Sequence, residues 1–146
     1  MTLSTSRIAP NSTTASSLSL KSAAGKVKPK CLTLKKIYIE QIRAGRKTVE
    51  GRILKGTVTK LKKGDLLRFY YYTNAKDDVI CKVLQINKHP TFKEMLQVKG
   101  YANCIPDARD FETAVKAYGS IPGYPEKEKK FGVASIEIEV YRPIGN

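Results

Sequence analysis

The stretch from Lys35 to Leu54 limits the fold more than any other part of the chain. Leu34, Tyr38 and Ile42 recur at four-residue spacing, with Ile37 widening the stripe, which predicts an amphipathic helix over residues 35–44. Gly45 stands where a helix end calls for a left-handed backbone, a conformation that glycine adopts at little cost. Residues 47–54 then read as a strand. A helix that stops at a glycine and passes directly into a strand puts a short basic segment, Gly45-Arg46-Lys47, at a fixed corner of the fold.

The remaining elements follow from periodicity and turn chemistry. Leu32 and Leu34 form a short strand ahead of the helix. Residues 65–73 and 79–87 are two more strands, the first introduced by the turn Gly64-Asp65. Thr91-Phe92-Lys93-Glu94 has capping-box spacing and opens a helix that stops before Gly100. Asp110 caps a second helix, in which Phe111, Val115 and Tyr118 share a face and Gly119 ends it. A loop with Pro122, Gly123 and Pro125 runs into the charged residues 126–130. In the last strand, residues 132–141, Val133, Ser135, Glu137 and Glu139 alternate with Ala134, Ile136, Ile138 and Val140. One side of it is expected to face the core and the other to carry the acids. Strands interrupted by short helices, with no internal repeat, indicate an α+β domain with a mixed or barrel-like sheet.

At 146 residues the chain fits one domain with a core large enough to fold without disulfides. No apolar run reaches the roughly 20 residues a membrane helix needs. The net charge is +14, and residues 1–30 hold five of those charges (Arg7, Lys21, Lys26, Lys28 and Lys30) with no acid, leaving +9 on the remainder. A basic domain attracts polyanions because phosphate neutralisation releases counterions. A lysine-rich surface that merely keeps the protein in solution is the competing explanation. Residues 1–30 are rich in Ser, Thr and Ala and hold no aromatic residue, so they read as a disordered basic tail or as an organelle targeting segment. The first predicts a cytoplasmic or nuclear protein, the second a plastid or mitochondrial one. Cys31, Cys81 and Cys104 show no disulfide or zinc spacing, and Cys31 and Cys81 lie in apolar surroundings typical of buried free thiols. No metal cluster, phosphate loop or cofactor motif is visible, and His89, alone before Pro90, reads as a loop residue.

The segment Gly45-Arg46-Lys47-Thr48-Val49-Glu50-Gly51-Arg52 resembles the G-x-K-x-x-E-x-R signature of the ASCH family. Lys62-Lys63-Gly64-Asp65 before a strand, Phe92 in a short helix and Phe131-Gly132-Val133-Ala134-Ser135-Ile136 near the end are similar to the family too. So is the stretch from Ile105-Pro106-Asp107 through Phe111 to Tyr118, which resembles small stand-alone members. The similarity spans about residues 31–141. It implies a PUA-like mixed β-barrel of about five to six strands with two to three short helices, following the tail at residues 1–30. It also implies a cleft beside the signature and a role with RNA. Some members are ribonucleases and some are coactivator modules. One bacterial branch hydrolyses N4-acetylcytidine with lysine, threonine and glutamate, but it has threonine where this chain has Glu50.

Taken as chemistry, strand periodicity places Glu50 and Arg52 on one face, and the long stem of Lys47 can bend toward them. Lys47 and Arg52 suit an anion such as a phosphodiester, with Arg46 and Lys130 as further basic contacts. Tyr118 and Tyr124 suit stacking on a base or donation of a proton. Glu50 could activate a ribose hydroxyl with Lys47 as the second catalytic group, although two flanking cations would make it a weak base. Alternatively Glu50 and Arg52 are a structural ion pair closing the barrel mouth with Lys47 solvated. Tyr70-Tyr71-Tyr72 could be a stacking platform with basic neighbours Arg68 and Lys76, but alternation sends at least one side inward and favours core or rim packing. The leading expectation is an RNA-binding domain whose basic cleft holds a nucleotide or single-stranded RNA, with no metal and no cofactor. The alternatives are a metal-independent ribonuclease or nucleoside amidohydrolase, and a protein-interaction module.

Overall fold

The computed structural model describes residues 28–143. The tail and targeting readings therefore fall almost wholly on residues 1–27, outside the described residues. Lys30, placed above in the tail, is instead the first residue of strand β1 (Lys30–Thr33), and its ammonium meets Asp65 at 3.1 Å. Helix α1 (Lys36–Arg43) follows, then β2 (Val49–Ile53), a 3-10 turn at Gly56–Lys60, β3 (Leu66–Tyr71) and β4 (Asn74–His89). Four helices come next: α2 (Phe92–Lys99), α3 (Tyr101–Cys104), α4 (Phe111–Gly119) and α5 (Tyr124–Phe131). Strand β5 (Val133–Val140) closes the series.

The five strands form one sheet in the order β1-β3-β4-β5-β2, parallel between β1 and β3 and antiparallel elsewhere. It curves as a half-barrel, so the α+β reading holds with five strands. The helix count differs: there are five helices where two or three were expected. The charged residues 126–130 lie in α5, which buries no residue and so shows no apolar stripe. It starts because Pro125 sits in the first turn of a helix, where its missing N–H costs nothing. The four-residue α3 is too short for periodicity to show. Strand β4 begins five residues early, at polar residues whose ladder partners on β3, not any pattern of their own, make them extended.

Two apolar layers cover the sheet. On one side Ile39 and Ile42 of α1 pack with Leu67, Phe69, Val83 and Ile136. On the other, Val49, Ile53 and Val133 meet Phe92, Met95 and Leu96 of α2 and Ala114 and Tyr118 of α4. Strand β5, inserted between β4 and β2, is consequently buried on both faces through Val133, Ala134, Ser135 and Ile136. The expected division into a core side and an acid side applies only to its second half. Cys81 and Cys104 are buried, whereas Cys31 is exposed, because β1 is an edge strand whose inward residue is Leu32. His89 is not a loop residue either: it ends β4, with Nε2 2.8 Å from Ser135 Oγ.

Ile39 is wholly buried and fastens α1 to the sheet. Ile39→Ala should lower unfolding stability by about 2–5 kcal/mol, read as a shifted denaturation midpoint with an unchanged slope.

Candidate functional site

The corner between α1 and β2 is built by backbone hydrogen bonds. Gly45 has φ 79°, which lets its N–H return to Ile42 O (3.0 Å) and the Arg46 N–H return to Gln41 O (3.0 Å). This pair of bonds is a Schellman helix end. The Lys47 N–H also reaches Gln41 O, and the Thr48 N–H reaches Asn103 O. The chain is thereby turned inward just where Lys47 begins. Strand β2 starts two residues later, so Lys47 precedes the strand instead of opening it.

Lys47 is not solvated. Its side chain is 2% exposed, and the ammonium donates to Val49 O at 2.9 Å and Cys104 O at 2.6 Å while meeting Glu50 Oε1 at 2.9 Å. Those three contacts use all three protons of an ammonium group. Glu50 takes Arg52 on its other oxygen, with Arg52 Nε donating to Oε2 at 2.6 Å. Arg52 also donates through Nη2 to Thr33 O. Because Thr33 lies on β1 and Arg52 on β2, this guanidinium spans the two edge strands of the sheet. Among the described residues, its Nη1 hydrogens and one Nη2 hydrogen have no hydrogen-bond partner.

Burial pushes the Glu50 carboxyl toward higher pKa, but the charges and hydrogen bonds of Lys47 and Arg52 outweigh it and hold the group below its ordinary 4.5. The Tyr118 hydroxyl is raised well above 10, chiefly by burial and then by the Glu50 charge, so it stays protonated. Tyr124 is raised by burial, although Arg52 opposes the shift. Lys47 Nζ also lies 5.2 Å from the centre of the Tyr38 ring.

These groups line a cleft of about 500 Å³, within the usual range for small-molecule sites. Lys47, Glu50, Arg52, Tyr118 and Tyr124 are brought together there. Arg46 and Lys130 are exposed and do not line it; Lys130 instead lies over the Phe131 ring at 5.3 Å. Sequence reasoning missed Lys35 and Tyr38 in the lining and favoured core or rim packing for Tyr72, which lines it too. Tyr38 belongs to the apolar stripe of α1 and so reads as core. Tyr72 lies beyond the end of β3, where strand alternation no longer applies, and is 69% exposed.

Gly51 lies between the two charged residues of β2. A Cβ there would fall 2.7 Å from Met95 Cε and 3.0 Å from the Tyr118 hydroxyl. Met95 is fully buried and has little room to withdraw. The absent side chain is what lets Tyr118 stand over the ion set.

A family description fits this arrangement of helix, capped corner and charged edge strand: a model of the ASCH domain matches residues 32–142. The chain belongs to the ASCH domain family. Its fold is similar to the crystal structure of hypothetical protein PH0355 at 36% identity and a TM-score of 0.69, covering 78% of this chain and 100% of that one. The solution structure of protein PF0455 from Pyrococcus furiosus aligns at 29% identity and a TM-score of 0.65, covering 79% and 99% of the two chains. Protein EF3133 from Enterococcus faecalis V583, at 14% identity and a TM-score of 0.50 over 82% and 84%, shares the fold alone. No curated protein matches. Among the described residues of this ASCH domain, no helix is long and apolar enough to cross a membrane. No group of three or more His, Cys, Asp or Glu among them is placed to hold a metal ion.

A depressed carboxyl adds stability above its unfolded-state pKa and loses it as pH falls through the folded value. Glu50→Gln should therefore cost about 3–5 kcal/mol at neutral pH by leaving buried cations unmatched. The gap from wild type should narrow below pH 4.5, as seen in denaturant melts across the acid range. Gly51→Ala should cost about 1–3 kcal/mol through overpacking against Met95 and Tyr118, measured by the same melts.

Proposed function

We propose that this ASCH domain binds single-stranded RNA by taking one nucleotide into the cleft, with Arg52 on a phosphate and the tyrosines against the base. The observation that carries the reading is the uncommitted side of the Arg52 guanidinium, held rigid by Glu50 at the floor of a cleft that also holds Tyr38, Tyr72, Tyr118 and Tyr124. A planar fork with free donors matches phosphate geometry, and exposed tyrosine faces accept bases of any sequence. The ion set carries one net positive charge, and Lys35 at the rim adds another. Lys47 is then a positioning residue, because its protons are spent on Glu50 and two carbonyls. Arg46 and Lys130, outside the lining, serve as long-range attraction for the RNA backbone.

The site favours binding over hydrolysis or strand cleavage. Both Glu50 oxygens are occupied and its carboxyl is held below the ordinary value, the opposite of what a general base needs. The threonine of the amidohydrolase branch is also missing at this position.

Arg52→Lys keeps the charge but loses the fork, so it should weaken binding of a single-stranded RNA by about tenfold while the fold survives. Fluorescence anisotropy at two salt concentrations measures this, and wild-type binding should weaken as salt rises. No binding by wild type even at low salt would refute the proposal.

A further inference from the structure

A smaller pocket of about 220 Å³ lies next to the cleft and shares Tyr118 and Tyr124 with it as a common wall. Its other walls come from the start of α2 (Thr91, Phe92, Lys93), from Val115 and Gly119 of α4, and from Glu128 of α5. The geometry points to a second base-binding site here, which takes the nucleobase adjoining the nucleotide in the cleft and prefers bases that carry an amino group. This inference rests on the RNA-binding reading above.

Three observations converge on it. The first is size: the volume falls below the usual range for whole small-molecule ligands, so the pocket suits one planar ring with its sugar and phosphate outside. The second is its aromatic wall. Phe92 stacks on Tyr118 with ring centres 4.3 Å apart and planes 7° from parallel. It also lies nearly parallel to Tyr124, at 5.5 Å and 2°. Phe92 and Tyr118 are buried, so of the three near-parallel rings it is the half-buried Tyr124 whose face a further flat ring can extend. Since Tyr118 and Tyr124 also line the cleft, they form a partition between two neighbouring bases, which must be unstacked to occupy both sides. Single-stranded RNA permits that, whereas a duplex does not.

The third observation is a carboxylate fixed in place. Glu128 Oε2 accepts the Phe92 N–H at 2.6 Å, which anchors the carboxylate at the start of α2. Its Oε1 has no hydrogen-bond partner among the described residues. A carboxylate oxygen held in this way accepts from the amino group of cytosine and likewise from that of adenine. It is repelled by the carbonyl edge of uracil. The pocket therefore discriminates by base, where the cleft tyrosines do not.

The test compares CMP with UMP, read at the cleft through the Arg52 side-chain signals, and cytidine with uridine hexamers, which reach both sites. NMR shift titration suits the mononucleotides and anisotropy the hexamers. Expected is a preference for the cytidine hexamer on the order of tenfold beyond any preference between CMP and UMP. Glu128→Gln retains a carbonyl for the Phe92 N–H but puts a donor on the other side, so it should abolish that extra preference. Gly119 has an ordinary φ, and a Cβ there meets nothing within 4 Å, so Gly119→Leu adds bulk at the pocket wall without backbone strain. That variant should weaken the cytidine hexamer several-fold and leave CMP unchanged. An equal preference in hexamers and mononucleotides, or one that survives Glu128→Gln, overturns the second site. If Arg52→Lys weakens both hexamers while Glu128→Gln and Gly119→Leu change nothing, the cleft reading stands and this one falls. If no RNA binds to wild type, both fall together.

Discussion

The rest of the structure hangs on a carboxylate buried between two cations. Glu50, with its side chain 6% exposed, would cost several kcal/mol to remove from water if it were unpaired. Every polar atom of the carboxylate and of the Lys47 ammonium is instead spoken for, and Arg52 continues the set outward to Thr33 O. The same guanidinium that ties strand β2 to strand β1 offers its remaining donors to the cleft. What fastens the mouth of the half-barrel is also the group proposed above to meet a phosphate.

The local devices that deliver this set are backbone devices. The helix end at Gly45 returns two amide groups to Gln41 O and turns Lys47 inward, where the carbonyls of Val49 and Cys104 wait. The missing side chain at Gly51 lets Tyr118 and Met95 close over β2. The short α3, which contributes Cys104, is pinned to the corner by the Thr48 N–H bond to Asn103 O. Small shifts in any of these would displace the charged atoms by more than a hydrogen bond tolerates.

Much of the fold was legible because its strongest signals are local. The four-residue stripe of α1, the glycine at 45, the caps at Thr91 and Asp110 and the alternation of β5 each announce an element by themselves, and both caps accept the expected amide. Elements held by their neighbours were not legible. The charged α5 has no buried face, and the first residues of β4 are strand only because β3 lies beside them. The candidate site divides the same way. The proximity of Lys47, Glu50 and Arg52 follows from spacing along one segment, but spacing cannot show that Lys47 spends its protons internally. Nor can it show that Tyr72 stands at the rim, since that depends on where β3 ends. The exposure of Cys31 and the burial of Ser135 depend likewise on strand order, which no local pattern reports.

The bond from Lys47 Nζ to Cys104 O joins residues 57 apart in sequence, and Arg52 reaches back 19 residues to Thr33. The cleft is thus assembled from both ends of the domain and closes only after its long-range pairings are made, a topology that folds slowly compared with local contacts. A molecule that fits only the assembled cleft would stabilise the native state alone, by an amount that rises with its concentration relative to its Kd.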